Sequence, residues 1–271
     1  MSGYRFCRTD DITLLVDALN RCWAPHFPDE PPMTPAAFKR SIRDLQVWCS
    51  SCMVAFQGSE PIGVLIGAKR APATLVHKIA VHPDHVRQGH ARHMLESLGS
   101  KLAILGPPRI VAEVPEALPA AGALFRACGF VQEGRLTDYV GERPNATPVA
   151  GPGLIIPVTV ADLAANGLLG DGLIETCWQR SVDTLRARKD EIAGLAAATE
   201  ETIEAFVLYI KDEIQTLAGD EAGLTRVLSH LPFTGRFPKV HPDEIPPALL
   251  ETLGFRDVGT HALYATTARS A

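Results

Sequence analysis

The sequence lacks the features that mark membrane-inserted, secreted and nucleic-acid-binding chains. No stretch approaches eighteen uninterrupted apolar residues, and the opening MSGYRFCRTD does not form the basic-then-apolar pattern of a secretory signal. Basic residues do not outnumber acidic ones, and the formal net charge is −5. These absences predict a cytoplasmic globular protein with no electrostatic reason to bind nucleic acid or an anionic membrane.

Cysteine is also scarce, with six residues in a chain of 271, which argues against a disulfide scaffold. Cys49 and Cys52 have the C-x-x-C spacing found in redox proteins and in half of a zinc site. A redox pair of this kind precedes a helix, yet the residues that follow, 53–56, are typical of a strand. No second C-x-x-C pair is present. Reduced cysteines at the start of a strand are the favoured interpretation.

Two periodicities alternate along the first 140 residues, one typical of strands and one typical of helices. The predicted strands are residues 4–7, 53–57, 62–68, 74–81, 110–114 and 135–140. The predicted helices are residues 10–23, 34–45, 89–105 and 119–128. This order, βααβββαβαβ, predicts an α/β (α+β) fold in which a mixed sheet carries helices on its faces.

An internal repeat connects the two halves of the chain. The pattern Leu-x4-Gly-Phe-x3-Gly-x4-Tyr ends at Tyr139 and, displaced by 125 residues, ends again at Tyr264. Between the two copies, residues 141–153 are rich in proline and glycine and lack periodicity, which predicts a linker. We therefore predict two copies of one fold, with domains at residues 1–142 and 154–271 and a linker at 143–153.

Elements in the second half are expected in the same order. The predicted helices lie near residues 174–188, 223–231 and 246–253, and the predicted strands near residues 192–197, 203–210 and 213–217.

The stretch VHPDHVRQGHARHML, residues 81–95, joins a predicted strand to a helix that begins at Gly89. The first amides of a helix have no intrahelical partners and carry the positive end of its dipole. No proline interrupts residues 87–92, so every amide there can donate, and Gly89 leaves room for a bulky anion. Arg87 and Arg92 add charges suited to phosphate oxygens. The stretch predicts a pyrophosphate cradle.

The histidines of this stretch allow a second interpretation, a metal site. His82, His85, His90 and His93 carry imidazoles that suit zinc or nickel. His90 and His93, however, flank the apolar stripe of the helix in its first turn, where a bound nucleotide would compete. Asp84 is the only carboxylate within the stretch. The phosphate cradle is the favoured interpretation, and no metal is expected.

Two linked motifs carry a family resemblance. The first motif is a strand ending in V-x-P followed by G-x-G/A, and it matches Ile-Ala-Val-His-Pro at residues 79–83 with Gly-His-Ala at 89–91. The second motif is A-L-Y-x3-G-F, and it matches Ala-Leu-Phe-x3-Gly-Phe at residues 123–130. These motifs, over about residues 3–140, resemble the GNAT superfamily of N-acetyltransferases. The resemblance implies two GNAT-like domains, each a mixed, mostly antiparallel twisted sheet flanked by helices.

The resemblance also implies that acetyl-CoA is the co-substrate. Its pyrophosphate would lie on the amides of residues 87–92, and its pantetheine would run beside the strand at 75–81 as a strand-like partner. Val86 departs from the family, which has Arg or Gln there. The implied cofactor-binding residues are Ile79, Ala80, Val81, Arg87, Gln88, Gly89, His90, Ala91 and Arg92.

Acetylation of an amine requires a base, because an amine with a pKa near ~10.4 must lose a proton before it attacks. The candidate bases are His77 and Glu113. The alternative interpretation of His77 is a histidine packed in the core, and that of Glu113 is a solvated strand residue. Phe125 occupies the position of the tyrosine that often serves the family as general acid. A thiol with a pKa near ~8.5 can leave without a donor; Cys128 or Tyr139 could donate instead.

The second half differs at the comparable junction, residues 218–226. Gly223 echoes Gly89, but Asp220 and Glu221 place two carboxylates where a pyrophosphate would be repelled. This implies a degenerate second copy that does not bind CoA.

The predicted function is transfer of an acetyl group from acetyl-CoA to a small-molecule or peptide amine, which attacks the thioester directly. The alternative is a non-catalytic acyl-CoA-binding or regulatory module, and a weaker alternative is a metal-binding protein. The predicted partners include no nucleic acid and no membrane, and a homodimer is allowed.

Overall fold

A computed structural model describes residues 2–141, 149, 151, 153–169, 177–231 and 235–267. The strands are β1 Ser2–Phe6, β2 Met53–Gln57, β3 Glu60–Lys69, β4 Thr74–Val81, β5 Arg109–Pro115, β6 Val131–Gly141, β7 Leu154–Pro157, β8 Ala193–Ala198, β9 Ile203–Ile210, β10 Glu213–Gly219, β11 Arg236–Val240 and β12 Phe255–Thr267. The helices are α1 Ile12–Cys22, α2 Pro35–Leu45, α3 His90–Leu105, α4 Pro119–Ala127, α5 Val160–Ala165, α6 Val182–Ala187, α7 Glu221–Ser229 and α8 Pro247–Thr252.

The chain forms two compact units. The first comprises Met1–Val114, Leu118–Glu133 and Ala262–Ala271. Its strands β1, β2, β3 and β4 pair in that order and antiparallel, β5 follows parallel to β4, and the end of β12 lies next to β5. Helices α3 and α4 pack their apolar sides on these strands, with Met94, Leu98 and Phe125 in one buried cluster.

The second unit comprises Pro115–Ala117 and Gly134–His261 and has the same plan. Strands β7, β8, β9 and β10 pair antiparallel, β11 is parallel to β10, and β6 pairs antiparallel with β11. The predicted fold class, a mixed and mostly antiparallel sheet flanked by helices, is confirmed. The repeat seen in the sequence therefore corresponds to a repeated structure.

The C-terminal part of the last strand of each sequence repeat belongs to the other compact unit. Tyr139, on β6, lies in the core of the second unit beside Phe237, whereas Tyr264, on β12, lies in the core of the first. The units therefore exchange the C-terminal parts of β6 and β12 relative to chain order. The domain boundaries at 142 and 154 stay a prediction, since most of the predicted linker lies outside the described residues.

Several elements coincide with their predicted bounds, including β2, β4 and β9. The helix expected at residues 174–188 is wrong in extent, because a 3₁₀ turn at Trp178–Arg180 precedes the short helix α6; residues 174–176 lie outside the described part. Helix α5 was not predicted, although Thr159 and Asp162 form a capping box at its start. That T-x-x-D spacing is a signal the sequence contained.

One member of the apolar stripe predicted for α3 is exposed. Met94, Leu95, Leu98 and Leu102 are buried, but Leu105 is 64 % exposed. Leu105 is the last residue of the helix, and Gly106 follows it, so the chain turns away before this side chain can reach the sheet.

The strand exchange predicts which unit is destabilised when a core side chain of β12 is truncated. Tyr264 is 2 % exposed, so Tyr264→Ala should cost about 3–5 kcal/mol, the usual range for emptying a buried aromatic site. Hydrogen exchange should show lost protection in β2, β3 and β4 of the first unit. Val258→Ala, on the same strand but at a side chain 50 % exposed, should change stability by less than about 0.5 kcal/mol. Loss of protection confined to β8–β10 would contradict the exchange.

Candidate functional site

The turn between β4 and α3 presents free main-chain donors to solvent. Gly89 is the N-cap of α3 with φ +88°, no side chain caps the helix, and its first turn contains no acidic residue. A Cβ placed on Gly89 would meet no atom within 4 Å. Since the first amides of a helix lack intrahelical acceptors, this helix start is open to an anion.

Positive charge beside the turn comes mainly from Arg87. Its backbone is left-handed, with φ +63°, and its exposed guanidinium has no hydrogen-bonded or ion-paired partner within the described ranges. The Arg92 Nε instead donates to Glu96 Oε1 at 2.8 Å, which offsets part of its charge. Val86 is an exposed side chain, so its departure from the family pattern removes no buried contact.

His90 holds the helix start in place with its side chain. It is 6 % exposed, and its Nδ1 lies 2.7 Å from the hydroxyl oxygen of Tyr4 on β1. The ring of His93 contacts the same tyrosine ring in a tilted arrangement, with centroids 3.9 Å apart. Burial lowers the pKa of His90, and the nearby His85 and His93 lower it further. His90 can contribute its amide to an anion, while its imidazole is a packing group.

The described residues contain no group of three or more His, Cys, Asp or Glu that could hold a metal ion. His82 is used locally, because its Nδ1 accepts a hydrogen bond from the Asp84 amide at 3.3 Å. The four histidines of the stretch therefore do not converge on one point.

Next to the helix start, β4 and β5 diverge. Their parallel ladder consists of Thr74 with Ile110 and Leu75 with Val111, at the beginning of both strands. Residues 79–81 pair with β3 along one edge, opposite residues 63–65. On the other edge of residues 79–81, the described part of β5 forms no ladder with them. The main-chain groups of 79–81 that face β5 therefore line a gap between β4 and β5.

A β-bulge lies where this divergence begins. Val76 and Lys78 pair with Gly67 and Ile66, which are adjacent in β3, so His77 is the extra residue. A bulge breaks the alternation of faces. The bulge therefore takes His77 out of the regular alternation of side chains along β4. Gln215 occupies the same bulged place in β10 of the second unit.

Glu113 lies on β5, beside the gap. Ile110, Ala112 and Val114 are buried in the cluster with α3, and the half-buried Glu113 alternates with them. Glu113 is therefore on the face of β5 opposite α3. The structure places Glu113 and the bulged His77 on neighbouring strands of the same unit.

The loop after α1 lies against β4, a set of contacts that sequence analysis missed. His26 Nε2 lies 2.8 Å from the carbonyl oxygen of Val81, at the end of the strand. Lys78 places its Nζ 3.7 Å from the ring centroid of Trp23 and 3.2 Å from Glu30 Oε2. A proline-rich loop gives no periodic signal from which these contacts could be predicted.

Tyr139 belongs to the second unit, whereas the gap, His77 and Glu113 belong to the first. Tyr139 is buried in the cluster of Phe237 and Leu250, and burial raises the pKa of its phenol. Phe125 is buried in the first unit.

The comparable helix start in the second unit is filled by the chain itself. Asp220 is the N-cap of α7, and its Oδ1 accepts from the Gly223 amide at 2.7 Å. Gly223 therefore lies inside the helix, one turn later than Gly89 does in α3. A Cβ on Gly223 would come within 2.8 Å of the Ala205 Cβ, so packing closes this junction. The carboxylate takes the place that an external anion would need.

All six cysteines are free thiols. Burial raises the pKa of Cys7 to about 12 and also raises the pKa values of Cys49 and Cys52, which lie just before β2. These thiols are protonated at neutral pH, which is unfavourable for redox chemistry or metal binding.

Residues 48–132 match a family model described as an acetyltransferase (GNAT) domain. That segment contains the β4–α3 turn, β5 and α4. No curated protein matches the sequence as a relative.

Solved structures with the same fold cover both units. A tandem GNAT protein from the clavulanic acid biosynthesis pathway is 16 % identical, with a TM-score of 0.68 over 100 % of each chain. A GCN5-related N-acetyltransferase from Sphaerobacter thermophilus is 13 % identical, with a TM-score of 0.68 over 99 % of this chain and 96 % of the other. A third, from Anabaena variabilis, is 12 % identical, with a TM-score of 0.66 over 99 % and 73 %. At these identities the likeness shows the fold. Within the described residues, no helix is long and apolar enough to cross a membrane.

The lowered pKa of His90 predicts how folding responds to acid. The unfolded imidazole, with an ordinary value of about 6.5, takes up a proton more readily than the folded one. His90 therefore opposes folding progressively as the pH falls below about 6.5. His90→Gln should flatten the decline of the free energy of unfolding in that window, measured by urea titration at several pH values. Above about pH 7.5 both proteins should show parallel curves, because the imidazole is neutral in both states; an unchanged acid slope would contradict the assignment.

Proposed function

We propose that the first unit, in which residues 48–132 match an acetyltransferase (GNAT) domain model, transfers an acetyl group from acetyl-CoA to an amine. One observation carries the proposal. An uncapped helix start at Gly89, with φ +88° and open space above it, lies beside the point where β4 and β5 separate. The first feature suits a diphosphate, and the second suits an extended thioester arm.

The proposed acetyl-CoA site extends from α3 to β4. The amides of residues 87–92 bind the pyrophosphate, with Arg87 adding charge. The pantetheine amides pair with the uncovered edge of β4, as an extra strand would. The main-chain amides near 79–81 lie where they can donate to the thioester oxygen as it becomes an oxyanion.

Transfer then follows direct attack. The amine nitrogen attacks the thioester carbonyl carbon, the carbonyl electrons move onto the oxygen, and backbone donors stabilise that charge. When the tetrahedral intermediate collapses, the C–S bond breaks and the sulfur leaves with the bonding pair. An ammonium acceptor loses one proton before the attack and a second proton as the tetrahedral intermediate forms and collapses, so a base must stand on the acceptor side.

Glu113 is the proposed base. It lies on the face of β5 opposite α3, which is the face left for an acceptor when the CoA occupies the α3 side. The loop that carries Trp23 and Glu30 contacts β4 through Lys78 and bounds the same region. His77 is the second candidate, because its bulge places it at the start of the gap.

We propose that the second unit does not bind CoA. Asp220 already caps the amide of Gly223, and Ala205 fills the space above that glycine. A pyrophosphate would have to displace a covalently tethered carboxylate and then lie beside it.

A non-catalytic acyl-CoA-binding module is the alternative function. The observation that favours it is Phe125, a buried ring without a hydroxyl at the position where the family often has a proton donor. CoA binding without turnover on any amine would support this alternative.

Binding of the diphosphate can be tested by calorimetry with CoA. Gly89→Glu should reduce affinity at least 100-fold, since a carboxylate at the helix start repels the phosphates and competes for the amides. Gly99→Glu adds the same group to the same helix at a position with open space, and should leave affinity within about twofold. Asp220→Lys should leave it unchanged. Equal losses at positions 89 and 99 would refute the cradle.

Assignment of the base can be tested by turnover of acetyl-CoA. Free thiol would be followed with an alkyl amine, a polyamine, an aminoglycoside, an amino acid and a short peptide as acceptors. For whichever amine the wild type acetylates, Glu113→Gln should lower kcat by about 10²-fold or more at unchanged CoA affinity, while His77→Gln should not. The reverse pattern would assign His77.

A further inference from the structure

The transfer reaction leaves a thiolate that must gain a proton, and the donor has not yet been identified. Tyr139 lies in the core of the second unit, and Phe125 has no hydroxyl. Cys128 is half-buried, and burial raises the pKa of its thiol. None of the three is placed as a donor by contacts in the first unit.

Tyr264 is the tyrosine that the strand exchange brings into the first unit. It is buried in the same cluster as Val81 of β4, Val114 of β5 and Leu95 of α3. Its ring lies nearly parallel to that of Phe125, with an interplanar angle of 13° and centroids 6.0 Å apart. The side chain is therefore on the α3 side of the sheet, where the proposed pantetheine approaches the gap.

The hydroxyl of Tyr264 has an uncommitted proton. Arg126 Nη1 donates to the phenol oxygen at 2.6 Å, so this bond uses a lone pair of the oxygen and leaves its hydrogen. No acceptor for that hydrogen occurs among the residues that the structure describes. The hydroxyl packs against Gly122 of α4: a Cβ there would lie 3.2 Å from the hydroxyl oxygen, so a glycine at this position leaves the oxygen its room.

We propose that Tyr264 is a catalytic residue that protonates the departing sulfur of CoA. As the C–S bond breaks, the bonding pair goes to sulfur and the phenol proton moves onto it, leaving a phenolate beside the Arg126 guanidinium. The positive charge at hydrogen-bond distance stabilises that phenolate. The base passes a proton from the amine to solvent. Solvent later returns a proton to the phenolate, which restores the phenol. This inference rests on the proposed function of the first unit.

Kinetics provide the first test, with a control taken from the repeat. Tyr264→Phe removes one oxygen and keeps the ring, and it should lower kcat about 10²-fold, the lower end for general acids, because a thiolate is a fair leaving group. The KM for acetyl-CoA should change little. Tyr139→Phe makes the same change at the equivalent position in the second unit and should leave kcat unchanged. Equal effects of the two changes, or no effect of the first, would overturn the assignment.

Equilibrium binding provides a second test that does not need turnover. At about pH 9 the free thiol of CoA is largely ionised, and a phenol that donates to it should strengthen binding about tenfold. Calorimetry should therefore show a tenfold loss of CoA affinity in Tyr264→Phe, and no loss for desulfo-CoA, which lacks the sulfur. Equal affinities of wild type and variant for CoA would refute the contact. Failure of the wild type to bind either ligand would instead refute the proposed function.

Discussion

The arrangement of the first unit depends on main-chain hydrogen-bond groups that the fold leaves without partners. At Gly89 these are the first amides of α3. Along residues 79–81 they are the groups on the edge of β4 that faces away from β3, apart from the Val81 carbonyl, which contacts His26 Nε2. The amides at Gly89 face solvent and carry the positive end of the helix dipole, so they favour an anion. The open edge of β4 favours a strand-like ligand that can exchange main-chain hydrogen bonds with it. An extended molecule with a diphosphate at one end and amides along its length satisfies both.

The second unit shows what the same fold does when those groups are satisfied internally. Its sheet has the same order and even the same bulge, at Gln215, yet Asp220 occupies the helix start and Ala205 fills the space above it. A single carboxylate at an N-cap stabilises the helix and at the same time removes the anion site. An aspartate cap at this helix start is therefore compatible with a stable copy of the fold.

Exchange of the last strands separates two tyrosines that the repeat makes equivalent. Tyr139 and Tyr264 share a sequence position in their repeats, but only Tyr264 stacks on Phe125 and receives the Arg126 hydrogen bond. Any role for a tyrosine in the first unit must therefore be assigned from the tertiary structure. The pairing of β12 with the first unit also makes Ala262 and Tyr264 part of the core that supports the site.

Local features of this protein followed from the sequence alone. The apolar runs of β2, β4 and β9, the glycine start of α3 and the carboxylates at the start of α7 are set by neighbours in the chain, so periodicity and capping rules predict them. The tertiary structure alone decided the bulge at His77 and which of the two tyrosines lies in the first unit. It also decided the contact of Lys78 with Glu30, 48 residues away, and that of His26 with Val81, 55 residues away. Each depends on which strand lies beside which, and strand pairing is fixed by packing between distant segments, about which a local pattern carries no information.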